Sequence, residues 1–125
     1  MSRKLSQLLT KKPATPWSSL GISRAVAIKL HEGKQGKHQV EHRNFQEGRS
    51  VLTIALQILQ DLLNEKAGTG QPVGDHKERI DFGVVIGFHV NRETGEKRET
   101  TRGIVTYSKS GAHVVPARPK GDNNG

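Results

Sequence analysis

The stretch Ser50–Lys66, SVLTIALQILQDLLNEK, decides how the rest of the chain is read. Val51, Leu52, Ile54, Ala55, Leu56, Ile58, Leu59, Leu62 and Leu63 recur at helical spacing and form a wide apolar face. Ser50 stands where an N-cap would accept a hydrogen bond from a free first-turn N–H, and Gly68 stands at the C′ position that ends such a helix. The predicted element is a helix from about Ser50 to Lys66. Its apolar face must lie on something, and the sequence downstream offers a sheet. Phe82–Val90 reads as a strand, Asn91–Lys97 with Thr94-Gly95 as a hairpin loop, and Arg98–Tyr107 as the return strand. Ala112–Val115 follows and ends at Pro116. A helix followed by an antiparallel meander predicts an α+β domain, the helical part covering one sheet face and the other face open to a ligand.

Upstream, residues 1–27 mix Lys, Ser, Thr and Pro with scattered leucines. They read as a linker, or a segment assisting passage into a cell, with one short helix around Lys4–Leu9. Arg24–Leu30 reads as a short strand or helix leading into a polar loop, His31–Gly48. A structureless loop of that length inside a compact domain is usually functional or disordered. The folded domain is expected over residues 28–119, with a frayed tail over 120–125.

With 125 residues, 32% apolar and 4% aromatic, the chain has room for one domain with a modest core. It has no cysteine, which excludes disulfides, thiolate metal sites and a cysteine nucleophile. No stretch approaches the roughly 18 consecutive apolar residues of a membrane span, and the basic start lacks the apolar core of a secretory signal. The net charge of +8 points towards nucleic acid at first sight. Its position qualifies that. Residues 1–31 hold six Lys and Arg and no acid, whereas the remaining residues hold 14 bases against 12 acids.

Four groups of residues have the chemistry for a site. Lys37 and His38 lie in the polar loop after Gly36, with His42 beyond; a histidine beside a lysine suits proton transfer near neutrality, and equally a solvated surface. Arg49 and Ser50 at the expected helix start suit a phosphate, or ordinary capping. Gly68-Thr69-Gly70-Gln71-Pro72 follows a helix instead of preceding one, so it reads as a turn and not as a nucleotide loop. Thr106-Tyr107-Ser108-Lys109 precedes His113 on a short terminal strand, where alternation sets Ile104, Thr106 and Ser108 on one side and Val105 and Tyr107 on the other. Two histidines, or one with Tyr, Lys or Thr, suffice for RNA cleavage without metal. A base takes the ribose 2′-OH proton, an acid protonates the leaving 5′-oxygen, and donors hold the phosphoryl oxygens. There is no HExxH, paired-aspartate cluster or nucleophile elbow.

From about Ile28 to Pro119 the chain resembles the polymorphic toxin type 50 family. The resemblance is carried by Gly36-Lys37-His38, Gly48-Arg49-Ser50, Ala67–Gln71, Lys77–Gly83, Ile86-Gly87, Thr100–Lys109 and His113–Pro116 in that order. It implies a barnase–EndoU–colicin–RelE-like fold, helices on a curved antiparallel sheet whose open face cleaves RNA. It also implies a metal-independent endoribonuclease toxin with no cofactor, carried by a larger polypeptide and acting in the target-cell cytoplasm. A cognate immunity protein would neutralise it. By position, the catalytic candidates are His38, Lys37, His113 and Tyr107, and the phosphate-binding candidates Arg49, Ser50, Thr101 and Ser108. Glu78 and Arg79 are expected to form an internal ion pair. The competing classes are a non-catalytic nucleic-acid-binding module and a structural interaction domain. Scarce aromatics weaken the first of these, since base stacking relies on them.

Overall fold

A computed structural model describes residues 15–31 and 50–119. A 3-10 turn at Ser18–Leu20 leads to α1 (Arg24–Ala27), where the Ser23 hydroxyl accepts from Val26 N. After Ser50 come β1 (Val51–Leu52), α2 (Leu56–Lys66), β2 (Gln71–Pro72), β3 (Lys77–Asp81), β4 (Gly87–Val90), β5 (Lys97–Thr100), β6 (Arg102–Ser108) and β7 (Gly111–Pro116). The strands form two antiparallel sheets, one of order β1-β4-β5 and one of order β2-β3-β6-β7. The class is α+β.

The helix is shorter than the apolar spacing predicts. It starts at Leu56 behind Ala55, which makes no side-chain cap, and Ser50 is not its N-cap. Val51 and Leu52 instead pair with Phe88 and Gly87 and are buried. This close pairing depends on Gly87, where any Cβ would lie 2.0 Å from the Val51 carbonyl oxygen. Tertiary pairing thus overrides a helical pattern that a β-branched residue at 51 supports poorly. The other end agrees with expectation: Ala67 is the C-cap and Gly68 follows with φ of 86°. Leu59 and Leu63 are fully buried, whereas Ile58 faces solvent.

Two strand readings also change. Of Phe82–Val90 only Gly87–Val90 is a strand; Phe82 and Ile86 anchor a loop in the core while Val84 and Val85 stand exposed at its tip. The expected return strand is divided at Thr101, its first half pairing with β4 and its second with β3. Loop and bend are joined by Phe82 N to the Thr101 carbonyl (2.8 Å) and Ile86 N to that of Thr100 (2.9 Å). The hairpin loop lies where predicted, with Asn91 Oδ1 accepting from Glu93 N and Thr94 N.

The core lies between α2 and the inner face of the four-stranded sheet, formed by Ile80, Val105, Tyr107, Ala112 and Val114. Trp17 and Ala27, from the segment read as a linker, are part of it. Gln60 of α2 ties that segment down: its side chain donates to the Ile28 carbonyl (2.7 Å) and accepts from Leu30 N (2.9 Å). Leu30 forms a parallel bridge with Ala112, and His31 N donates to the Ala112 carbonyl (2.7 Å), so residues 29–31 flank the outer edge of β7.

Candidate active site

Alternation sorts the four-stranded sheet into two faces. In β3 Glu78 and Ile80 point inwards; in β6 Val105 and Tyr107; in β7 Ala112, Val114 and Pro116. The outer face therefore carries Lys77, Arg79 and Asp81 from β3, Arg102, Ile104, Thr106 and Ser108 from β6, and His113 and Val115 from β7. The register sets them in rows across the strands. Lys77 is opposite Thr106, and Thr106 is opposite His113. One step along, Gln71 is opposite Arg79, Arg79 opposite Ile104, and Ile104 opposite Val115. A further step pairs Asp81 with Arg102. Side chains directly opposed across strands have Cβ atoms about 4.5–5.5 Å apart, so the first row brings a cation, a hydroxyl and an imidazole together over two strand spacings. Such a row can hold a phosphate and move a proton beside it.

Beneath this row, on the inner side, lies a buried carboxylate. Glu78 is 1% exposed. Its Oε2 accepts from Gly68 N (2.7 Å) and from the Tyr107 hydroxyl (2.5 Å), and its Oε1 from Gly70 N (2.7 Å). The glycine loop after α2 is thus an anion cradle whose anion is supplied by the chain itself. At Gly70 an added Cβ would lie 2.3 Å from the Arg79 carbonyl oxygen, so only glycine brings the N–H this close. Burial, reinforced by the Glu78 hydrogen bond and charge, pushes the Tyr107 phenol well above its ordinary range, so it stays protonated as a donor. Trp17 packs edge-on against Tyr107, ring centroids 4.9 Å apart. Beside Glu78 opens a cleft of about 360 Å³ bordered by Ser19, Gly68, Gly70, Asp75 and His76. There the His76 Nδ1 donates to the Pro16 carbonyl at 3.1 Å.

The structure separates several residues that the sequence grouped. His113 lies on the outer face, and Ser108 shares that face next to the hairpin turn, its Oγ donating to the Gly111 carbonyl (2.9 Å). Tyr107 lies on the opposite face, its hydroxyl committed to Glu78. Thr101 sits half-buried at the bend between the two sheets. Ser50 directly precedes β1, and its Oγ accepts from Val90 N (3.1 Å) at the end of β4. Lys37, His38 and Arg49 lie outside the described residues. Glu78 and Arg79 point to opposite faces, so the carboxylate is held by backbone N–H groups and a phenol and not by its neighbour's guanidinium. Lys77 joins the outer rows without having been a site candidate in the sequence, and Arg79, expected to pair with Glu78, joins them instead. Their signal was the alternation Lys77-Glu78-Arg79-Ile80-Asp81, legible only once Glu78 is known to point inwards.

Among the described residues no three His, Asp or Glu side chains cluster as metal ligands, and no helix is long and apolar enough to cross a membrane. The model of a family described as Bacterial toxin 50 matches residues 30–116. No curated protein matches the chain.

Proposed function

Because this chain belongs to the bacterial toxin 50 family, we propose that it is a metal-independent endoribonuclease acting on the outer face of the four-stranded sheet. The observation that carries the reading is the row Lys77, Thr106 and His113 across β3, β6 and β7, on the face turned away from the core. A proton-transfer group there stands beside a cation and a hydroxyl, the set needed to cleave a phosphodiester that has a neighbouring 2′-OH.

In the proposed reaction a base removes the 2′-OH proton and the 2′-oxygen attacks phosphorus. The bond to the 5′-oxygen breaks, and an acid returns a proton to that oxygen. The products are a 2′,3′-cyclic phosphate and a free 5′-hydroxyl. His113 is one proton-transfer group and His38 the other. His31 flanks β7 at Ala112, beside His113, and His38 follows it by seven residues in the sequence. Lys77 and Lys37 neutralise the phosphoryl charge; Thr106 and Thr101 supply hydroxyl donors, and Arg49 and Ser50 bind flanking phosphate. Tyr107 acts from the core as a positioning residue, fixing Glu78 and with it the strand that holds Lys77. The fold is read as barnase–EndoU–colicin–RelE-like. A larger carrier would deliver the domain to the cytoplasm of a target cell, and an immunity protein would protect the producer.

The test is incubation of catalytic amounts of protein with bacterial RNA in EDTA, with His113→Ala and His38→Ala alongside and the fragment ends mapped. Discrete fragments with cyclic phosphate ends, lost in His113→Ala, are expected. Intact RNA with folded wild-type protein would overturn the reading and favour a non-catalytic nucleic-acid-binding module.

A further inference from the structure

The outer face carries two aliphatic side chains that the core does not use. Ile104 and Val115 are directly opposed across β6 and β7, and their neighbours Val105 and Val114 point into the core. Both are half-buried, and among the described residues neither belongs to the hydrophobic cluster or to the side chains packed against it. Together they form one flat patch, about 6.8 Å along the strands from the Thr106–His113 pair. Arg79 stands opposite Ile104 in the same row, Lys77 ends the row before it, and Arg102 lies in the row after. Asp81, opposite Arg102, offsets part of that charge.

Resting on the ribonuclease reading, we infer that Ile104 and Val115 form a platform for the base of a nucleotide adjoining the scissile phosphate, and that the substrate is single-stranded RNA. Charge complementarity selects the occupant. An apolar patch with a cation in its own row and in each adjoining row suits a ligand with an apolar face on an anionic backbone, which describes an unpaired nucleotide. In a duplex the base faces are already stacked and unavailable, so cleavage falls in loops and single strands. Two aliphatic side chains offer no hydrogen bonds, so the platform reads the presence of a base and not its identity.

The test pairs the wild-type protein with Ile104→Ala/Val115→Ala, and each with a short single-stranded RNA intact or abasic on one side of the cleaved bond. Losing the base on the platform side lowers wild-type kcat/KM by about tenfold, the scale of withdrawing one flat apolar face from water against two aliphatic side chains. The double variant loses a similar factor on intact RNA and is indifferent to the abasic change. Losses that multiply overturn the platform and assign the patch to a protein partner; a variant that cleaves like wild type also overturns it. Fluorescence anisotropy with the all-2′-deoxy strand, which cannot be cleaved, provides an independent readout. Weaker binding by the variant supports the platform even if the wild type cleaves nothing, in which case only the ribonuclease reading falls. Equal binding by both proteins overturns the platform whatever the cleavage result. Ile104→Thr/Val115→Thr keeps β-branching, guards against misfolding, and should give the same pattern.

Discussion

Tyr107 and Glu78, 29 residues apart in sequence, meet in the core with the phenol donating to Oε2 at 2.5 Å, and the same oxygen takes the Gly68 N–H. Three donors of this one chain converge on a single buried carboxylate. Helix end, glycine loop and two strands are thereby fixed to one another directly below the row Lys77, Thr106 and His113.

Glu78→Gln should lower the unfolding free energy by about 2–3 kcal/mol, because an amide NH₂ would then face N–H donors left unsatisfied in a buried site. Urea denaturation measures this. A change below about 0.5 kcal/mol would mean the carboxylate is not what holds the glycine loop.

The raised Tyr107 pKa gives a signed pH dependence. The folded state keeps the phenol protonated at pH values where the unfolded chain loses that proton, so its contribution is complete below about pH 10 and declines as pH rises further. Tyr107→Phe should be less stable at pH 7 and lose less stability between pH 9 and 11, at about those values. Parallel curves for the two proteins in that window would count against the coupling.

Trp17→Ala should destabilise by about 3–5 kcal/mol, the usual loss for truncating a buried indole. The residue lies 7% exposed against Tyr107, with the Arg24 guanidinium 6.0 Å from its ring centroid. Indole fluorescence followed through denaturation should report the global transition, not an earlier one.

Gly70→Ala should be strongly destabilising, since its methyl would meet backbone, not a side chain free to move. Thermal unfolding shows this. A Tm within about 2 °C of wild type would contradict the close approach.

His113→Ala should lower the rate of RNA cleavage by about 10²–10⁴, as loss of a proton-transfer group does. Lys77→Ala should reduce it less, with a KM that rises less steeply with salt as one phosphate contact disappears. Both variants should unfold within about 1 kcal/mol of wild type, because these side chains lie on the outer face.

The sequence reveals the elements whose side chains obey a period. The helix end at Gly68, the hairpin loop read at Asn91–Lys97 and the shared side of Ile104, Thr106 and Ser108 were legible, because each rests on local chemistry. The start of α2 was not. Val51 and Leu52 fit a helical face as well as a strand, and only their pairing with Gly87 and Phe88 decides between them. Strand β3 was hidden for a different reason: one of its two inward positions is a glutamate, so Lys77–Asp81 shows no apolar alternation. The role of Trp17 was equally unreadable, since a lone indole among Ser, Thr and Pro gives no hint of the pocket it fills. His113 stood out because histidine is rare and titrates near neutrality, but its neighbours in space come from register, which composition does not carry.

The bend at Thr101 has a mechanical consequence. One continuous run of chain, β5 into β6, belongs to both sheets, and the loop Phe82–Ile86 is hydrogen-bonded to the turning point from both its ends. Neither sheet can therefore peel away without pulling on the other. Amide exchange should find the strands on both sides of Thr101 opening as one cooperative unit, at a single free energy. The outer rows are carried on a stiff plate, and a ligand settling there meets a surface already in shape.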